Sequence, residues 1–179
     1  PNVVMAGLGL PNDDALAASL AAEVGHCKRV AWEISPDAEG GGPPFTYEHR
    51  MAQVRELSAE YPQFASVLLD DMSTVARQKG FLPEHIRQIR ALLGDRHPSV
   101  AIKGVVYTMS LAEEGLDEYI RELDGISLWV WHARDIPRLQ EHVTAMQQRF
   151  PDKPIELGIY LYDYGEDRRM PMDLLQQHC

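Results

Sequence analysis

The feature that most constrains this chain is a repeated alternation. Six short aliphatic runs are each followed by a segment whose apolar residues recur at helical spacing. The first strand is expected over Val3 to about Leu8. Asn12 or Asp13 then caps a helix with Leu16, Leu20 and Val24 inward and Gly25 at its end. The second strand runs from Arg29 to Ile34. After a Gly- and Pro-rich loop, Thr46 caps a helix bearing Met51, Val54, Leu57 and Tyr61. The third strand is Phe64 to Asp70. Pro83 opens a helix with Ile86, Ile89 and Leu93 inward, stopped by Gly94. The fourth strand, Val100 to Tyr107, precedes a short helix burying Leu116, Tyr119, Ile120 and Leu123. The fifth, Gly125 to Trp131, precedes a helix capped by Asp135 and lined by Leu139, Val143, Met146 and Phe150. The sixth strand is expected over Ile155 to Tyr162, with Pro171 opening a last helix.

Strands joined by helices are parallel strands with crossover connections, which leaves an open doubly wound sheet and a closed (β/α) barrel. Strands of an open sheet, covered on both faces, read as unbroken apolar runs. These strands instead alternate. Ile126, Leu128 and Val130 oppose Ser127, Trp129 and Trp131, and Ile155, Leu157, Ile159 and Leu161 oppose Glu156, Gly158, Tyr160 and Tyr162. An aliphatic face toward helices and a polar, aromatic face toward a lumen fit the barrel. The fold class expected is therefore α/β, a TIM-barrel-like parallel (β/α) barrel, with the doubly wound sheet as alternative. A complete barrel needs eight strands and about 250 residues. With six strands in 179 residues, beginning at Pro1, the chain is expected to be one partial domain over 1–179, truncated at its C-terminal end and open to loss at the other.

Charge and cysteine usage narrow the function classes. With 17 basic and 27 acidic residues the net charge is −10, which argues against a nucleic-acid partner. No apolar run approaches the roughly 20 residues of a membrane helix. Two cysteines, Cys27 and Cys179, make neither a disulfide framework nor a metal cluster. Neither a cofactor nor a metal is expected, and the compartment is not set by the sequence.

In a (β/α) barrel the chemistry sits at the C-terminal ends of the strands. There the sequence puts Glu33, the Asp70-Asp71 pair, Tyr107, Trp131-His132, and Tyr162-Asp163. Glu33 and Asp70 share the inward phase of their strands and are the candidate catalytic carboxylates. Asp71, Tyr107, Trp131, Tyr162 and Asp163 are the candidate binding residues. Carboxylates beside aromatic rings suit a saccharide, and glycoside hydrolysis uses two carboxylates flanking the bond. The less functional readings are equally concrete: a buried pair between Glu33 and Lys103, a cap for Asp71 or Asp163, and barrel filling for Trp129, Trp131, Tyr160 and Tyr162. His132 reads as a loop hydrogen-bonder, and Arg168 with Arg169 as a solvated charge pair.

The segments VAWEIS, VLLDDM, GVVYTMS, ISLWVWHA and IYLYDYGEDRRMP resemble a bacterial group of glycosidase-like TIM-barrel proteins of uncharacterised activity. The resemblance covers Val3 to Cys179. It implies a barrel and carries Glu33, Asp70, Asp71, Trp131 and Asp163 over as pocket residues. The fourth strand ends in Tyr107-Thr108, where better-known retaining glycosidases often have Asn-Glu.

The function expected is thus a glycoside-hydrolase-like barrel acting on or binding a small-molecule or oligosaccharide ligand. Two alternatives accompany it. One is a metal-dependent sugar isomerase or epimerase with Glu33, Asp70 and His132 as ligands. The other is a non-catalytic carbohydrate-binding module. Gly7-Leu8-Gly9 with Glu33 is close to a dinucleotide fingerprint, but Asn12 stands where its third glycine belongs. The loop from Glu39 to Pro44 reads as a rim.

Overall fold

The computed structural model describes residues 3–6, 13–34, 47–72, 74–78, 80–94, 100–158 and 160–178. The Gly7 to Asn12 turn, the Glu39 to Pro44 loop and the Thr46 cap lie outside the described residues. Six strands, β1 (Val4–Ala6), β2 (Val30–Glu33), β3 (Phe64–Leu69), β4 (Ala101–Tyr107), β5 (Gly125–Trp129) and β6 (Ile155–Gly158), form one sheet in chain order. The pairs β1–β2, β2–β3 and β5–β6 are parallel. A doubly wound sheet reverses its strand order at a switch point, and this sheet does not. The fold is the α/β fold of an incomplete (β/α) barrel.

The chain divides into two compact units. One comprises Pro1–Asp70 with Leu82–Lys103, the other Asp71–Phe81 with Gly104–Cys179.

In the first unit, α1 (Asp14–Val24) starts where Asp13 Oδ1 accepts the Leu16 N–H at 3.0 Å and ends at Gly25. Its inner face is Ala17 and Ala21, not the expected Leu16, Leu20 and Val24; Leu16 is 45% exposed. This helix is apolar around most of its circumference, so spacing does not single out a face. Alanine lets the backbone approach its neighbours most closely. α2 (Tyr47–Glu60) buries Met51, Val54 and Leu57 as expected, and its Gln53 Nε2 donates to Asp14 Oδ1 at 3.0 Å. α4 (Pro83–Leu93) has Pro83 in its first turn, where no N–H is needed. Its His85 Nδ1 accepts the Leu82 N–H, satisfying one donor of that turn. Ile86, Ile89 and Leu93 are buried, and Gly94 ends the helix with φ +69°, a conformation glycine adopts without strain. Trp32 on β2 is fully buried, its ring 5.4 Å from Phe64.

In the second unit, α3 (Thr74–Gln78) leads to Phe81, whose carbonyl accepts the Tyr119 hydroxyl at 2.6 Å. α5 (Leu116–Glu122) buries Leu116, Tyr119 and Ile120, with Leu123 just beyond, as expected. Two expectations change after β5. Asp135 does not cap the next helix, because residues Ala133–Arg138 form a 3-10 segment and α6 (Leu139–Arg149) begins only after it. Pro137 lies within the 3-10 segment, which ends before the α-helical ladder starts. The sixth strand stops at Gly158 instead of reaching Tyr162. The chain turns into a hairpin, β7 (Tyr162–Asp163) against β8 (Arg168–Arg169), and α7 (Met172–His178) follows. The hairpin loop needs a left-handed residue, and Asp167 takes it at φ +49°. Val130, Ala133, Ile136 and Met170 form a small core, with Leu139, Tyr160, Leu174 and Leu175 packed against it. Ile126, Leu128 and Val130 are buried as the alternation requires, whereas Leu157 on β6 is 46% exposed.

Candidate functional site

In the first unit, Glu33 ends β2 and is only 4% exposed. Lys103 on β4 is buried as well. Asp70 follows β3 and is half-buried. Asp71, the first residue of the second unit, is half-buried and sits at φ +53°, a left-handed conformation that Asp tolerates better than most residues. The next amide, Met72 N, donates to Val105 O at 3.0 Å, holding the turn after β3 against β4.

The densest arrangement of candidate residues lies at the C-terminal ends of β4, β5 and β6 in the second unit. Six aromatic rings run in unbroken contact. Tyr107, the last residue of β4, meets Trp131 edge-on at 5.1 Å. Trp131 meets Tyr164 at 5.1 Å. Tyr164 meets Tyr160 at 4.7 Å and Tyr162 at 5.2 Å. Tyr160 meets Trp129 at 4.5 Å. The tilted and edge-to-face geometries are those preferred by aromatic quadrupoles. Tyr107 is buried, Trp129, Trp131, Tyr160 and Tyr162 are half-buried, and Tyr164 is 47% exposed.

Sheet register explains one end of this series. Trp129 pairs with Gly158 across β5 and β6, and a Cβ on Gly158 would come within 1.9 Å of the indole. The missing side chain is the space the ring occupies. The Trp129 indole N–H donates to Ser127 Oγ at 2.8 Å, fixing its rotation.

The hairpin sets the other end. Asp163 is fully buried; its Oδ1 accepts the Ala133 N–H at 3.0 Å and its Oδ2 faces Arg168 Nε at 3.3 Å. Asp163 is thus the cap of the 3-10 segment. Gly165 N donates to Trp131 O at 3.1 Å, and the His132 ring lies so close to Gly165 that a Cβ there would fall 1.7 Å from Nδ1. His132 Nδ1 is buried and has no hydrogen-bond partner among the described residues. The Tyr162 hydroxyl donates to Asp167 Oδ1 at 2.6 Å, and this bond, with some desolvation, raises the phenol above its ordinary pKa.

Of the residues singled out in the sequence, the structure therefore brings Tyr107, Trp131 and Tyr162 into one aromatic series and puts Asp163 behind it as a brace. Glu33 and Asp70 belong to the other unit. Sequence reasoning missed Tyr164, which touches three other rings. Its signal was the Tyr-x-Tyr-x-Tyr spacing of 160, 162 and 164. It also missed the glycines at 158 and 165, each of which makes room for a ring.

No protein-family model matches the chain, and no curated protein matches it. Among solved structures it is similar to a chain from the tryptophan synthase α2β2 complex of the hyperthermophile Pyrococcus furiosus, at 12% identity and a TM-score of 0.43, over 99% of this chain and 82% of that one.

The expected saccharide function is corrected by the geometry of its candidate residues. Asp163, expected to hydrogen-bond sugar hydroxyls, spends its carboxylate on Ala133 N and Arg168, and the Tyr162 hydroxyl is spent on Asp167. For the metal-dependent alternative, no group of three or more His, Cys, Asp or Glu is placed to hold a metal ion among the described residues. No helix among them is long and apolar enough to cross a membrane.

Proposed function

We propose that the second unit binds a planar aromatic small molecule on the partly exposed rings at the ends of β5 and β6. The observation that carries this reading is the unbroken series of six rings, Trp129, Tyr160, Tyr164, Tyr162, Trp131 and Tyr107, of which all but Tyr107 keep part of their surface open. Rings that served only to fill a core would be closed over, as Trp32 is at 0% exposure. Here two of the rings are instead held by a specific brace, Ser127 and Gly158 for Trp129 and Asp167 for Tyr162, and the Gly165 amide ties the hairpin loop to the Trp131 carbonyl. Rings fixed in advance lose little freedom when a ligand stacks on them.

The position at the C-terminal strand ends supports the reading, since that is where (β/α) barrels carry their sites. Saturation-transfer NMR with 2-naphthamide, a neutral planar probe, tests it. Transfer to the probe, weakened in Trp131→Ala and Tyr164→Ala, is expected. Transfer undiminished by both substitutions, or none in the parent protein, would refute the reading.

A further inference from the structure

We infer that the ligand of this aromatic surface carries a carboxylate, and that Arg169 is the residue that recognises it. The inference rests on the aromatic-surface reading and adds the ligand's charge and its anchor. Its basis is the pairing of charges on the hairpin. Asp163 is engaged by Ala133 N and Arg168. Glu166 pairs with Arg134 at 3.4 Å, and Asp167 accepts the Tyr162 hydroxyl. Of the charged side chains from 163 to 169, only that of Arg169 has neither an ion pair nor a hydrogen bond among the described residues.

Its place is set by the hairpin register. Arg169 is the cross-strand partner of Tyr162, and directly opposed residues of an antiparallel pair point to the same face. The free guanidinium therefore shares a face with the Tyr162 ring, which contacts Tyr164 and so joins the aromatic series. Arg168, one residue earlier, points to the other face and is held there by the buried Asp163. An unengaged guanidinium beside a run of open rings matches a molecule with a flat body and an anionic end.

The charge arithmetic selects carboxylate over phosphate. One planar fork satisfies one carboxylate through two parallel hydrogen bonds. A phosphate dianion would bring twice the charge to a chain of net charge −10, with Glu166 and Asp167 in the same loop and no second unengaged arginine on the hairpin.

The test compares three probes of one shape by isothermal titration: 2-naphthoate, 2-naphthamide and 2-naphthyl phosphate. The parent protein is expected to bind the carboxylate about tenfold more tightly than the amide, the size of one charge-assisted hydrogen bond in a partly exposed site. Arg169→Gln should abolish that preference and leave amide affinity unchanged. Arg169→Lys should keep part of it, and Arg138→Gln, on the 3-10 segment, should keep all of it. Amide and carboxylate binding alike in the parent protein, a preference that survives Arg169→Gln, or phosphate binding tighter than carboxylate would each overturn the inference while the aromatic surface stood. If none of the three probes binds, the surface itself fails and this inference fails with it.

Discussion

The buried carboxylate of Asp163 accepts the backbone N–H of Ala133 at 3.0 Å, joining two segments thirty residues apart in sequence. That one contact caps the 3-10 segment after β5 and fixes the hairpin that carries Tyr162 and Tyr164. Asp163→Ala removes the cap and leaves the Ala133 amide unsatisfied in a buried place, so it should lower unfolding stability by about 2 kcal/mol. Asp163→Asn keeps an acceptor oxygen and should cost about half as much. The Arg168 side chain is 60% exposed, so its ion pair adds little, and Arg168→Ala should lie near the parent protein. Urea denaturation of the three variants gives the order directly. Equal midpoints for Asp163→Ala and Arg168→Ala would show that the cap does not act as described.

Gly158 has its role because of the residue opposite it. With the Trp129 indole where a Cβ would stand, Gly158→Ala must displace the ring or the strand. Overpacking of this kind costs about 1–3 kcal/mol. The near-ultraviolet circular dichroism of the coupled Trp129 and Tyr160 rings should fall at the same time. Gly80→Ala makes a useful contrast. No atom lies within 4 Å of a Cβ there, so only the backbone strain of φ +75° acts, and the aromatic signal should be unaltered.

The alternation of apolar residues made the barrel legible, because parallel strands with one helix-facing and one lumen-facing side leave a period of two in the sequence. Burial of Ile126, Leu128 and Val130 against half-open Trp129 and Trp131 is that period realised. The helices were legible where one apolar stripe stood out, as with Ile86, Ile89 and Leu93. They were not where apolar residues surround the axis, as in α1. The hairpin was read as a continuation of the sixth strand because Tyr160 and Tyr162 prolong its alternation. The left-handed turn at Asp167 that folds the chain back leaves no such periodic trace. For Asp163 the sequence leaves a binding role and a cap side by side, because the group it caps, Ala133 N, is a backbone group that no pattern marks.

Tyr162 and Asp167 give a pH dependence with a defined sign. The hydrogen bond to Asp167 is the main cause raising the Tyr162 phenol above its ordinary value of 10.0. The folded protein thus holds this proton more tightly than the unfolded chain does. The associated stability is fully present below the unfolded pKa and is lost as pH rises through the folded one. Phenolate absorbance at 295 nm should show a late-titrating component that is lost in Tyr162→Phe, beside that of Tyr61, whose phenol is raised by its hydrogen bond with Glu60. Asp167→Asn, which removes the negative charge, should bring the Tyr162 component back toward the ordinary value. A Tyr162 that titrates identically in the parent protein and Asp167→Asn would mean the bond is not formed in solution.

Tyr107 and Tyr164 both touch Trp131, from opposite degrees of exposure, and this separates stability from binding. Tyr107 is 4% exposed at the end of β4 and Tyr164 is 47% exposed in the hairpin loop. Truncating a buried aromatic leaves a cavity, so Tyr107→Ala should cost about 3–5 kcal/mol of unfolding stability. Tyr164→Ala uncovers mostly surface and should cost under about 1 kcal/mol. Stacking contributes in the reverse order. Tyr164 offers its ring to solvent and lies between Trp131, Tyr160 and Tyr162, so its loss should weaken 2-naphthamide binding about tenfold, as the loss of one aromatic contact of about 1.4 kcal/mol would. Tyr164→Phe keeps the ring and should bind like the parent protein. Thermal denaturation and titration calorimetry on the same three variants measure both quantities. A Tyr164→Ala protein that binds the probe normally, or that is as unstable as Tyr107→Ala, would return the aromatic series to a purely structural role.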